Sequence, residues 1–335
     1  MLSSLTYNNS ENSDLLCLIF EFMPLCSIRS LRLANWKFLK LASRNVRFSN
    51  IIITPITSVI HTRGISLVSN HIETMKINLV QIVDLSKFRN LRWIDIRYVD
   101  HSDNSKIKYS DLVFPEKVRD ISLMLRSELS YHRIRKLFHP GYPLNCLKTV
   151  HISYEHLENS DIECMKMAEE VDLFQCIKVS DLKPLKNCKK LNIYDCPRIT
   201  NDSFDDIQFN NIKDLGYYIH PCINKITPKK FINCEILNIS NISDDNISGM
   251  KLNNLTCCNS KITDLRSFKT LTYLNCRDCV ELHDIPIENL EYLNCSGTTM
   301  RDFTNATQLK KIIISASVRK YFKIPTGVEV VEYTF

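Results

Sequence analysis

From Leu252 onward the chain repeats itself at one short, constant interval, which leaves room for a strand and little else in each unit. Leu252, Leu271, Leu290, Leu309 and Val328 are evenly spaced, and each opens a block of the form L-x-x-L-x-(C/I/Y). The blocks read LNNLTC, LTYLNC, LEYLNC, LKKIII and VEVVEY. Alternate residues of a strand point to opposite sides, so Leu274 with Cys276, Leu293 with Cys295, and Ile312 with Ile314 should face one core. One such unit cannot cover its apolar side alone. Stacked units can, as a parallel sheet whose inner side is shared along the stack. Each buried Leu or Ile contributes about 1.5 to 3 kcal/mol, so stability is spread along the stack.

The same template, carried backward, finds openings at Cys234, Ile212, Cys188, Val171, Leu147, Val118, Leu91, Ile72 and Phe48, at intervals of about 17 to 29 residues. Eight residues after the openings stand small side chains, Cys196, Ser260, Cys279, Thr298 and Ser317, suited to satisfying backbone groups where the chain leaves the strand. Units as short as those at the C-terminal end predict an extended or one-turn return path. The longer middle units have room for helices, expected at 128–138, 161–171 (with Cys164, Met165 and Ala168 on one side) and 203–208.

The stretch CKKLNIYDC at 188–196, followed by Pro197, Arg198, Ile199 and Thr200, resembles the cysteine-containing subtype of the leucine-rich repeat. That resemblance covers 48–335 and implies an α/β solenoid, a horseshoe with a parallel β-sheet on its concave face. In such a fold the outward residues of the strands meet a partner protein. The register makes them Trp93, Asp95 and Arg97; His151; Lys190, Asn192 and Tyr194; Tyr218; Asn238; Tyr273, Asn275 and Arg277; and Tyr292 and Asn294. Tyr, Trp and Arg are enriched where interfaces carry most of their binding energy, although outward residues can also do no more than solvate a sheet.

Residues 10–47 follow another pattern. In SDLLCLIFEFM the apolar Leu15, Leu16, Ile19, Phe20, Phe22 and Met23 recur at helical spacing, Ser13 or Asn12 can cap the start, and Pro24 stops it. A second run carries Ile28, Leu31 and Leu33, and Trp36, Leu39 and Leu41 follow. Helices this short need a neighbour. This order of residues, ahead of leucine-rich repeats, resembles the F-box of F-box/LRR proteins. The resemblance implies that Leu15, Leu16, Ile19, Phe20, Leu31, Leu33 and Trp36 dock a Skp-type adaptor of a cullin ubiquitin ligase, with the repeats holding the target for ubiquitin transfer by other subunits. The alternative is a helical cap on the first repeat of a binding scaffold or inhibitor.

Composition narrows the function classes. The chain has 335 residues, 44% hydrophobic and 24% charged, enough to bury a continuous core. A net charge of +6 from 43 basic and 37 acidic residues is too mixed for a phosphate-binding stripe, so no nucleic acid is expected. The cluster Arg29, Arg32, Lys37, Lys40, Arg44 and Arg47 reads as a solvated surface because its charges surround several helix faces. Residues 1–13 have neither a basic start nor a long apolar run, so a cytoplasmic or nuclear chain with no membrane contact is expected. In that reducing setting the 14 cysteines are read as small buried hydrophobes. Cys276 and Cys279, with Cys257, Cys258 and Cys295, invite a zinc reading, but the repeat assigns them to core and turn positions, so no metal or cofactor is expected. Cys279 with His283 is no better as a nucleophile, because a turn slot denies exposure. No phosphate loop, HExxH or G-x-S-x-G motif occurs, and no enzyme activity is expected. The richness in Asn, Ile and Lys resembles translation from an AT-rich genome, such as that of a protist or large DNA virus.

Overall fold

A computed structural model of the chain describes residues 51–53, 73–79, 85, 88–98, 114–115, 117–125, 146–204, 209–218, 228, 231 and 233–334. Residues 10–47, where a helical head with adaptor residues is expected, lie outside the described residues together with the basic cluster, as does the helix expected at 128–138. The chain divides into two compact units, Met1–Val150 and His151–Phe335.

In the first unit β1 (Ile51–Ile53), β2 (Thr74–Leu79), β3 (Trp93–Tyr98) and β4 (Asp120–Leu125) pair in parallel and in chain order. Ile51 stands beside Met75, Met75 beside Ile94, and Ile94 beside Ile121. Each lies three residues after an opening read from the sequence, and Met75, Ile94 and Ile121 are buried with Ile96 and Leu123. Strand β5 (Thr149–Tyr154) follows at the junction of the units.

The second unit is a solenoid of stacked parallel strands. Its strands are β6 (Glu170–Phe174), β7 (Lys190–Tyr194), β8 (Asp214–Tyr218), β9 (Ile236–Ile239), β10 (Asn254–Thr256), β11 (Tyr273–Asn275), β12 (Tyr292–Asn294), β13 (Lys311–Ser315) and β14 (Glu329–Tyr333). Every neighbouring pair is parallel. The register stacks Val171, Leu191, Leu215, Leu237, Leu255, Leu274, Leu293 and Ile312 in one row, each 0% exposed. A row of this kind gives every apolar side chain two like neighbours, which no single unit could supply. Among the described residues no helix is long and apolar enough to cross a membrane.

Six units leave their strands by one turn geometry. Seven residues after the opening the backbone is left-handed, at Gln175 (φ 53), Asp195 (φ 49), Asn241 (φ 59), Asn259 (φ 54), Asp278 (φ 59) and Gly297 (φ 76). Asn, Asp and Gly tolerate that conformation best, so five of these six residues answer a backbone demand. The following position is buried: Cys176, Cys196, Ile242, Ser260, Cys279 and Thr298. There the Cys176 amide donates to Cys196 Sγ at 3.4 Å, the Ile242 amide to Ser260 Oγ at 3.2 Å, and Thr298 Oγ1 to the Cys295 carbonyl at 2.9 Å. The ladder expected from small side chains is thus formed, with one correction. Ser317 is exposed within a 3-10 turn (Ala316–Tyr321), and Ser315 is the buried residue, its Oγ accepting from the Gly297 amide at 3.3 Å.

Three further expectations are corrected. Val171 does not open a block but stands beside Leu191 in the buried row, so the opening is Ala168, also buried. The final strand pairs Ile312 with Val330, which makes the last step shorter than the three before it and moves its opening from Val328 to Gly327. The 3-10 turn before it takes the chain by another route, and Val330 and Val331 are both only half-buried. The helix expected at 161–171 is a single turn, α1 (Asn159–Glu163). Cys164, Met165 and Ala168 do have helical spacing, but pairing of Glu170–Phe174 with β7 recruits that following segment into a strand.

The return paths are short, as the period requires. They comprise α2 (Asp244–Ile247) and 3-10 turns at Lys183–Asn187, Asn201–Phe204 and Ile287–Asn289. The helix expected at 203–208 is replaced at its start by the turn ending at Phe204, and 205–208 lie outside the described residues. Parallel bridges tie successive returns together, Ser243 to Lys261, Asp264 to Asp284 and Asp302 to Lys323.

Candidate functional site

In the second unit the outward residues of the strands form rows beside one another. The first row runs Glu170, Lys190, Asp214, Ile236, Asn254, Tyr273, Tyr292 and Lys311. The second runs Asp172, Asn192, Gly216, Asn238, Thr256, Asn275, Asn294 and Ile313. In a third, Phe174, Tyr194 and Tyr218 stand side by side at the strand ends.

Parallel register places like residues at strand spacing, and the rings use it. Tyr194 and Tyr218 stack with centroids 4.7 Å apart, and Phe174 leans on Tyr194 at 5.5 Å. Tyr273 and Tyr292 stack at 4.3 Å. The Arg277 guanidinium lies 5.3 Å from the Tyr333 ring centre. Carboxamides and small polar residues fill the lanes between the rings. Of the partner residues expected on this unit, Lys190, Tyr194, Tyr218, Asn238, Tyr273, Asn275, Arg277, Tyr292 and Asn294 are half-buried and His151 is exposed, all on the strand side.

Two expected contact residues are instead buried and act on their neighbours. Asn192 is 8% exposed; its Nδ2 donates to Asp172 Oδ1 at 2.7 Å, and its carboxamide fills the space that a side chain at Gly216 would occupy. In the first unit Asp95 is 3% exposed and accepts from Arg97 Nε at 3.1 Å and from Ser122 Oγ at 3.2 Å. Asp95 therefore aims Arg97 rather than meeting a partner, while Arg97 is exposed and Trp93 half-buried on the same strand.

Asp172 and Phe174 belong to this face and are absent from the residues expected there. Both were hidden by the opening set at Val171, which makes Phe174 a core position although it is 41% exposed. The small side chain of Ala168, seven residues before the left-handed Gln175, was the available signal.

His151, Asp172 and Asn192 form one hydrogen-bonded line across β5, β6 and β7. The hydrogen bond from Asp172 raises the His151 pKa above its ordinary 6.5, against a smaller opposing effect of burial. Burial pushes the Asp172 carboxyl up, but the hydrogen bonds from His151 and Asn192 outweigh it and hold the pKa below the ordinary 3.8. Stability from the raised imidazole is fully present below its unfolded pKa and is lost as pH rises through the folded value. The lowered carboxyl contributes above its unfolded pKa, and that share is lost as pH falls through the folded value. The pair is therefore most stabilising between the two ordinary values. His151→Asn should lower the urea midpoint more at about pH 5.5 than at about pH 8; equal losses at the two pH values would show that the charged pair contributes nothing.

The cysteines of the second unit sit where the repeat puts them. Cys257, Cys276 and Cys295 line the core with Cys279 beside them, and Cys279 Sγ donates to the Cys257 carbonyl at 2.9 Å. The Cys279 thiol and burial hold Cys257 well above the ordinary 9.0, and burial pushes Cys295 up to about 12. The Cys257 and Cys295 thiols stay protonated at neutral pH, which suits packing rather than nucleophilic attack. His283 is exposed, with Nδ1 3.0 Å from the Glu281 carbonyl rather than near a thiol.

No protein-family model matches the chain, and no curated protein matches it. Among solved structures it is similar to the functional domain of InlJ from Listeria monocytogenes, described as including a cysteine ladder. The identity is 13% and the TM-score 0.40, over 76% of this chain and 65% of that one. The chain thus spans 65% of the length of the InlJ domain.

Proposed function

We propose that this chain is a protein-recognition module whose target lies on the outward face of strands β6 to β12. The observation that carries the reading is the pair of ring stacks, Phe174 with Tyr194 and Tyr218, and Tyr273 with Tyr292, set on a sheet whose carboxamides lie between them. Aromatic side chains already held by their neighbours lose little freedom on binding and bring large contact area. The carboxamides add donors and acceptors in fixed positions. A regular sheet on a continuous core is the rigid support such a surface needs.

The resemblance of 10–47 to an F-box supplies a finer reading. The head holds a Skp-type adaptor through Leu15, Leu16, Ile19, Phe20, Leu31, Leu33 and Trp36, and the repeats select the protein that a cullin ligase modifies in the cytoplasm. On this reading the chain performs no chemistry of its own.

One pull-down examines both. The immobilised whole chain is expected to retain a recombinant Skp-type adaptor, and Ile19→Asp with Phe20→Asp to lose it without change in circular dichroism. Proteins retained from a cell extract are expected to be lost with Tyr218→Ser plus Tyr292→Ser and kept with Val280→Ser plus Tyr321→Ser, which alter exposed residues off the strands. The same proteins retained by all three chains would remove the strand face from the reading, and an adaptor indifferent to the head substitutions would remove the ligase role.

A further inference from the structure

Toward its C-terminal half the outward face loses its charge. Charged residues make up 24% of the chain, yet β9 to β12 carry none in the first two outward rows. Arg277, just beyond β11, is already engaged: its Nε lies 3.0 Å from Asp278 Oδ2 and its guanidinium beside the Tyr333 ring. Burial pushes the Tyr273 phenol up to about 12, so this ring stays neutral as well.

Within this neutral stretch two carboxamides are held in one orientation. Asn275 Oδ1 accepts from the Arg277 amide at 3.4 Å and from Cys258 Sγ at 3.6 Å. Asn294 Oδ1 accepts from the Ser296 amide at 3.2 Å and from Ser296 Oγ at 2.9 Å. A backbone amide can only donate, so the oxygen of each carboxamide must be the end turned to it, and Nδ2 the other. Neither Nδ2 has a hydrogen-bond partner among the described residues, and both side chains are half-buried. Asn275 and Asn294 stand side by side in register, and so do Tyr273 and Tyr292 one row away, with their rings stacked at 4.3 Å. Two neighbouring donors, their acceptor ends already taken, therefore lie beside an aromatic ledge.

Resting on the reading of the strand face as a protein-binding surface, we infer that β10 to β12 take an uncharged, extended polypeptide segment, whose main-chain carbonyls accept from Asn275 and Asn294 Nδ2 while an apolar side chain packs on Tyr273 and Tyr292. A ligand that drives water from these donors without bringing acceptors leaves them unpaired at a cost in free energy, so the donors select for carbonyls. An extended polypeptide supplies one at every residue. A charged segment would lose hydration and find no counter-charge in these rows. A sugar chain presents hydroxyls that must also donate, and it would find both carboxamide oxygens occupied.

The test passes randomised short peptides over the immobilised whole chain: a neutral pool of Ala, Val, Leu, Phe, Ser and Gly, and pools in which Glu or Lys replaces Ser. The neutral pool is expected to be retained best, and equally at low and high ionic strength, since no ion pair is made. Asn275→Asp plus Asn294→Asp keeps an oxygen for the Arg277 and Ser296 amides but replaces both donors by acceptors. A peptide recovered from the neutral pool should bind this variant about tenfold more weakly by fluorescence anisotropy, at high ionic strength as well. Asn305→Asp plus Gln308→Glu adds the same charge at exposed positions off the strands and should leave affinity unchanged. Failure to retain the neutral pool, preference for a charged pool, retention of maltoheptaose in place of the peptides, or equal affinities of the two double variants would overturn the inference. The broader reading is judged separately: if Tyr218→Ser plus Tyr292→Ser abolishes retention of proteins from extract while the neutral peptides fail, the face stands and only the carbonyl-reading role of Asn275 and Asn294 falls.

Discussion

Replacing Leu274 with alanine is expected to lower the free energy of unfolding by about 2 to 5 kcal/mol. Leu274 is 0% exposed and stands between Leu255 and Leu293 in the buried row. Removing its branched end leaves a void that the neighbours cannot close, because backbone hydrogen bonds to the strands on both sides fix the spacing at about 4.8 Å. In a stack each unit contacts only its neighbours, so the loss falls on two interfaces at once and cooperativity should suffer with stability. Val330→Ala provides the contrast. Val330 is half-buried on β14, the last strand of the sheet, and should cost less than about 1 kcal/mol. Urea unfolding followed by circular dichroism measures both, and comparable losses at the two sites would mean that the row from Val171 to Ile312 is not the common core.

The repeat was legible because its demands are local. A strand needs alternation, the turn needs a residue that accepts positive φ, and the slot after it needs a small or apolar side chain. Leu274, Asp278 and Cys279 state all three within one short stretch. The register failed where a neighbouring pattern imitates the signal. Val171 and Phe174 reproduce the L-x-x-L spacing three residues late, while the true opening carries only the methyl group of Ala168. At the C-terminal end a shorter connection moves Val330 into the place read for Val331.

The site was legible to the same extent as the register. Strand alternation places Tyr194, Tyr218, Tyr273 and Tyr292 outward, but it says nothing of how deeply neighbours cover Asn192 or Asp95. Coverage depends on residues of the next strand, such as Gly216 and Ser122, and on whether they offer room or a hydrogen bond. The adaptor surface is what the resemblance of 10–47 to an F-box implies, and those residues lie outside those described.

Phe231→Ala is expected to cost about 3 to 5 kcal/mol, comparable with any loss in the leucine row. The units that begin with β7 and β8 are longer than those at the C-terminal end, and three phenylalanines pack against one another in them. Phe204 follows β7, Phe209 precedes β8 and Phe231 precedes β9; all three are buried, with centroids 5.3, 5.2 and 5.8 Å apart. Both contacts of Phe204 are edge-to-face, a geometry worth about 0.5 to 1.5 kcal/mol per pair beyond the area removed from water. Phe231→Leu keeps most of the volume and should cost less than half as much as alanine. The cluster also links core to surface, since the strands it supports carry Lys190, Tyr194, Asp214 and Tyr218. Loosening it should raise amide hydrogen exchange in Lys190–Tyr194 and Asp214–Tyr218 before it does so in Tyr292–Asn294, because a stacked unit passes strain mainly to its neighbours. Uniform acceleration across all three strands would instead mean that the unit opens only as a whole, and that the recognition face has no locally tunable end.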